Sequence, residues 1–181
     1  STKVGPPEAL EYGDAPDPVA GEGEVVIAVK AAGVNFPDAL IIEDKYQFKP
    51  ERPFAPGGEI AGEIESLGPG VTNVKVGQRV IGSLGWGGMA EKVKTQAQRV
   101  LPIPDDMPFD DASAFILTYG TSYYGLKDRG HLQAGEMLLI LGAAGGVGVA
   151  AIELGKAMGA RVVGAVSSEE KAAFAKAAGA D

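Results

Sequence analysis

Leu138-Leu139-Ile140-Leu141-Gly142-Ala143-Ala144-Gly145-Gly146-Val147-Gly148 is the stretch that decides how this chain folds. Four apolar residues run into a cluster of small ones, and the cluster opens a helix. That order suits a buried strand, a sharp turn, and a helix whose positive end faces an anion. In such a turn one glycine lets the chain bend back, and another lets backbone N–H groups approach a pyrophosphate. The last lets helix and strand pack closely. Gly145, Gly146, Val147 and Gly148 are therefore candidate dinucleotide-binding residues. Residues 146–158 have helical character, with Gly148, Ala151 and Gly155 forming a small-residue stripe where a sheet would press. A second strand-like run, 161–166, follows Gly159 and completes one βαβ unit of about 30 residues. A plain βαβ corner with no ligand is the alternative.

Composition narrows the function classes. A chain of 181 residues, 45% of them hydrophobic, holds one large domain or two small ones and can bury a core. A net charge of −8, with Lys and Arg scattered, argues against nucleic acid or an anionic membrane as partner. No run approaches the roughly 20 apolar residues of a membrane span, and no charged-then-apolar leader is visible. With no cysteine, disulfides and thiolate metal sites are excluded, and the single histidine, His131, would leave a zinc ion dependent on carboxylates. The expectation is a cytoplasmic protein without metal.

The first hundred residues read as β-rich. Strands are expected over 25–30, over 59–67, where apolar and acidic residues alternate as in a half-exposed strand, over 74–82, and over 89–94. Many short strands between Gly/Pro turns suggest a barrel-like β domain. After Pro104 the pattern turns helical, from Phe109 to about Lys127 with a kink near Gly120, and a last helix covers 168–178. The chain is α/β, a β-rich barrel followed by the start of a parallel sheet. A dinucleotide-binding sheet needs more parallel strands than the two visible, so a fragment of a longer chain is expected.

Five segments fall in one order: 18–35, ending Ala31-Ala32-Gly33-Val34-Asn35; Pro56-Gly57-Gly58-Glu59-Ile60-Ala61-Gly62; Gly77-Gln78-Arg79-Val80; Gly120-Thr121-Ser122-Tyr123-Tyr124; and the 142–148 cluster. That order resembles the zinc-free quinone oxidoreductase (zeta-crystallin-like) branch of the medium-chain dehydrogenase/reductase superfamily. The resemblance implies a GroES-like catalytic domain over 1–117 and the N-terminal portion of a Rossmann domain over 118–181. It implies members roughly twice as long, dimeric, and using NADPH to reduce a quinone or α,β-unsaturated carbonyl. Asn35 and Gly58 stand where zinc-dependent relatives carry a metal-binding Cys and His. A 2-enoyl thioester reductase and a dinucleotide-binding protein without turnover are the alternatives. A 181-residue piece alone is expected to be inactive.

The resemblance also marks site residues, each with a plainer alternative. Asn35 would contact the nicotinamide or a substrate carbonyl, or else form an Asx turn. Tyr46, the second catalytic candidate, would line the acceptor pocket and hydrogen-bond its oxygen, or serve as packing. Thr121 would approach the nicotinamide, or bond its own backbone. Asp38 reads as a helix-opening residue or N-cap. NAD enzymes carry an acid about 20 positions past the glycines. Here that strand ends Val166-Ser167-Ser168, so Ser167 and Lys171 are candidates for the 2′-phosphate of NADPH. The alternative is a capping box of Ser167 with Glu170. His131 reads as a surface turn residue, and Glu63 and Glu65 as solvent-facing. Trp86, between Gly85 and Gly87, either covers a pocket or pins a loop.

Overall fold

In the computed structural model, which describes residues 1–181, the chain divides into two units, Ser1–Ile116 and Leu117–Asp181. The first is built on one antiparallel sheet of five strands: β1 (Glu24–Gly33), β2 (Glu59–Leu67), β3 (Arg79–Ser83), β4 (Lys92–Gln96) and β5 (Val100–Pro102), in the order β4-β1-β2-β3-β5. The register between β1 and β2 shifts at Val26/Ile27 and again at Val29/Ala31. The first shift breaks the two-residue alternation, so Val25, Val26 and Ile27 are all buried. Ile27, Ile60, Ile64 and Val80 meet inside the sheet as the main core.

Two expectations about this unit need correction. β2 is not half-exposed along its length, because Glu59, Ile60, Ala61 and Gly62 are all buried and alternation begins only at Glu63. The strand is central, and a helix α2 (Phe109–Ser113) closes over it, with Ala61, Ile81, Ile103 and Ala112 in contact. A side chain at Gly62 would reach within 2.2 Å of the Ala28 carbonyl. The strand expected over 89–94 instead runs Lys92–Gln96. Gly88 and Met89 are held in a loop by N–H donation to Gly57 and Pro56 carbonyls at 3.0 and 2.8 Å. A short helix α1 (Phe36–Ile42) follows β1 and buries Ile41 and Ile42.

The second unit begins with a helical segment in which two π turns, Ile116–Gly120 and Tyr124–Arg129, flank α3 (Thr121–Tyr123). The expected kink near Gly120 takes this form. β6 (Met137–Leu141) and β7 (Arg161–Ala165) then pair in parallel, joined by α4 (Gly146–Ala157), and α5 (Glu169–Ala177) follows. Ile140, Ala143, Ala151, Ile152 and Val162 form its core. The small-residue stripe packs as its spacing predicts. A Cβ at Gly155 would lie 2.8 Å from Leu138 and 3.0 Å from Val162. On the alternate positions of β6, Met137, Leu139 and Leu141 are exposed.

The Tyr119 hydroxyl donates to the Glu153 carboxylate, tying the first π turn to α4. This bond, with partial burial, raises the phenol pKa above its ordinary value, since ionisation would set two negative charges together. A pKa raised on folding contributes stability below the unfolded value, and that contribution fades as pH climbs through the folded one. Stability is thus expected to decline in the alkaline range, starting near the ordinary phenol pKa. Urea unfolding of Tyr119→Phe across that range should show a shallower decline than the parent. An unchanged slope would show that the pair contributes nothing.

Candidate functional site

The turn after β6 is fixed by its own backbone. Gly142 has φ +66°, a left-handed conformation that suits glycine. Its N–H and that of Ala143 both donate to the Ala165 carbonyl at the end of β7, at 3.0 and 3.3 Å. The Gly145 N–H turns inward to the Gly142 carbonyl at 3.0 Å. Gly145 is the N-cap of α4, so Gly146, Val147 and Gly148 supply the first three helix amides, which have no intrahelical acceptor. A Cβ at Gly148 would lie 2.5 Å from the Gly142 oxygen. No such obstacle exists at Gly145, where the nearest atom to an added methyl would be 3.5 Å away.

Electrostatics separate the two helix starts. The first turn of α4 contains no acidic residue, whereas α5 begins with Glu169 and Glu170. Only α4 leaves its positive end uncompensated by its own side chains. Beside it is a cavity of about 480 Å³ lined by Gly142, Ala144, Gly145, Ala165, Ser167 and Lys171 among others, with no acid in its wall. The expected cap of α5 also shifts by one residue. Ser168, in extended conformation, is the N-cap, and its Oγ accepts from the Lys171 N–H at 3.3 Å. Ser167 is thereby left to accept from Lys171 Nζ at 3.1 Å, placing a hydroxyl and an ammonium together at the cavity wall. An uncharged glycine turn, open helix amides and this pair together suit a phosphorylated dinucleotide.

In the first unit, Asn35 follows β1 and caps α1. Asp38 is not the cap. Three residues on, its buried carboxylate accepts from the Asn35 backbone N–H at 2.8 Å. The Asn35 side chain does more than open the helix, because its Nδ2 donates to Glu59 at 2.8 Å. Glu59 is only 3% exposed, so a polar cluster of Asn35, Asp38 and Glu59 is assembled at the junction of β1, α1 and β2. No three His, Cys, Asp or Glu side chains gather as a metal site. Tyr46 is half-buried and packs edge-on against Phe48, ring centroids 5.7 Å apart. Thr121 is exposed at the start of α3. His131 sits at φ +51° in an exposed loop, with its carbonyl accepting from Gln133 at 2.6 Å.

Sequence reasoning missed one residue here. Ser122 is buried, and its Oγ donates to the Val147 carbonyl at 2.9 Å, tying α3 to the first turn of α4. Nothing in the pattern distinguishes this serine from a helix-surface one.

Known proteins resemble this chain in sequence and in fold. Residues 21–105 match the alcohol dehydrogenase GroES-like domain. A quinone oxidoreductase-like protein 2 homolog from Nematostella vectensis is 42% identical over 152 residues, covering 83% of this chain and 42% of that one. A mycobacterial protein solved in complex with NADPH has 36% identity and a TM-score of 0.91, covering 99% of this chain and 56% of that one. The CurK enoyl reductase has 30% identity and a TM-score of 0.90, over 99% and 56%. The chain spans about half the length of the relatives it matches.

Two substitution pairs test the packing. Gly148→Ala should cost about 1–3 kcal/mol in urea unfolding, because backbone must give way, while Gly145→Ala should be close to neutral. Equal costs would contradict the close approach. Asn35→Ala, which strips the buried Glu59 of its amide donor, should cost about 1–3 kcal/mol, and Asn35→Gln should recover part of it. No loss in Asn35→Ala would show that the bond is immaterial.

Proposed function

We propose, for a chain that belongs to the medium-chain dehydrogenase/reductase family, an NADPH-dependent and zinc-independent reduction of a quinone or α,β-unsaturated carbonyl. The observation that carries this is the cavity beside the glycine turn, which Gly142, Gly145 and the Ser167–Lys171 pair line with no acid in the wall, next to a helix whose first turn is free of acid. The bound cofactor supplies a hydride to an already electron-poor acceptor, chemistry that needs no Lewis acid.

The chain's own residues bind and orient. The N–H groups of Gly146, Val147 and Gly148 receive the pyrophosphate, and Gly145 shapes the entrance to the helix. Ser167 donates a hydrogen bond to the 2′-phosphate, and Lys171 pairs with its charge. In the second unit Thr121 is assigned to the nicotinamide, and in the first unit Asn35 to the nicotinamide or a substrate carbonyl, each from the resemblance of its own segment. Because Glu59 takes a hydrogen from Asn35 Nδ2, the Asn35 oxygen is the end that accepts a carboxamide N–H. Tyr46 donates to the acceptor's oxygen. With a single histidine and no cysteine, the chain offers no soft ligand set for zinc. The same proposal makes the whole protein a cytoplasmic homodimer acting on a small molecule, with neither nucleic acid nor membrane as partner. No helix is long and apolar enough to cross a membrane.

Similarity to an enoyl reductase favours a second reading of the same hydride step, with a 2-enoyl thioester as acceptor. Steady-state turnover on quinones against enoyl thioesters separates the two. NADPH binding without acceptor-dependent oxidation would overturn both.

Cofactor choice has its own test. Ser167→Asp sets a carboxylate where the 2′-phosphate would lie, and Lys171→Ala removes its counter-charge. Each should weaken NADPH binding by roughly tenfold while leaving NADH within about twofold, read by nucleotide fluorescence. Equal losses for both nucleotides would remove the 2′-phosphate assignment.

A further inference from the structure

Trp86 is the chain's single tryptophan, and at 43% exposure it stands out from the first unit. Its loop is not slack. Gly85 and Gly87 on either side have φ of +93° and +99°, conformations that L-residues rarely adopt. The Leu84 and Gly85 N–H groups donate to the Gly58 carbonyl at 2.8 and 3.3 Å, and the Gly87 N–H to Ala55 at 2.7 Å. The indole is therefore presented from a backbone held on both sides. Phe48, half-exposed, is steadied by the edge-on Tyr46 ring at an interplanar angle of 62°.

Both aromatic side chains border a cavity of about 440 Å³, which Ser83, Leu84 and Arg99 help to line. Its size lies within the range of small-molecule sites. Arg99 gives one N–H to the Leu84 carbonyl at 3.3 Å. No carboxylate lies within ion-pair distance of it, in a chain of net charge −8. A guanidinium has five donors in a planar fork, and Arg99 is exposed, so its remaining donors face solvent and are open to an anion.

We propose that this cavity binds a small aromatic carboxylate, its ring against Trp86 and Phe48 and its carboxylate paired with Arg99. The ring gains apolar burial and aromatic contact, and the guanidinium gains the bidentate partner that the chain does not supply. None of the residues that line the cavity belongs to the dinucleotide turn, and binding requires no hydride transfer.

The tryptophan reports on its own site. Titrating the full chain, without nucleotide, with para-ethylbenzoate should change its fluorescence saturably. The neutral isostere para-ethylbenzamide should bind roughly fivefold more weakly, as loss of a half-exposed charge pair implies. Arg99→Gln should abolish the preference for the acid while leaving the amide's affinity in place, and Phe48→Ala should weaken both probes. No saturable change, equal affinity of the two probes for the parent chain, or a preference that survives in Arg99→Gln would each overturn the proposal.

Discussion

The second unit depends on how closely a helix is allowed to approach a turn. At Gly148 the separation between α4 and the Gly142 carbonyl leaves no room for even a methyl group, and at Gly155 the same helix lies against Leu138 and Val162. These two contacts set the height of α4 over β6 and β7. They also bring the helix start level with the strand ends, where Gly142 and Ala143 both bond the Ala165 carbonyl. Packing at this density tolerates little adjustment. The amides of Gly146, Val147 and Gly148 are therefore preorganised donors, aimed by backbone rather than by mobile side chains. Ser122, bonded to the Val147 carbonyl, adds a second anchor at the same turn.

The first unit solves a different problem, the burial of charge. Glu59 lies in a central strand with almost no exposure, and Asp38 is nearly as enclosed. Buried carboxylates are costly without donors. Asn35 answers both, giving its side-chain amide to Glu59 and its backbone N–H to Asp38. One residue thus orients two acids while its own side-chain oxygen keeps acceptor capacity. Asn35 is thereby a fixed polar contact at the junction of β1, α1 and β2.

What was legible in the chain follows from the range of the forces involved. The glycine turn could be read because its demands are local: a positive φ at Gly142, and close packing at Gly148 and Gly155 on one face of a single helix. The burial of Glu59 could not be read. Alternation along 59–67 points an acid outward, and the opposite outcome depends on Asn35, a distant partner in sequence, and on α2 closing over the sheet. The helix cap shifted from Ser167 to Ser168 because two adjacent serines offer the same chemistry. The extended backbone at Ser168 decides between them. That one-residue shift matters, since it frees Ser167 to meet Lys171. Likewise the segment around Met89 has strand-like composition, but hydrogen bonds to Pro56 and Gly57 hold it as a loop.

On the proposed function, main-chain amides at the start of α4 receive a dinucleotide's phosphates. Backbone amide NMR of the chain during NADPH titration tests it most directly. The largest shifts should fall on Gly146, Val147 and Gly148, with Ser167 and Lys171 moving in the same titration. Saturable shifts elsewhere with these amides unmoved, or no shifts at millimolar nucleotide, would contradict it.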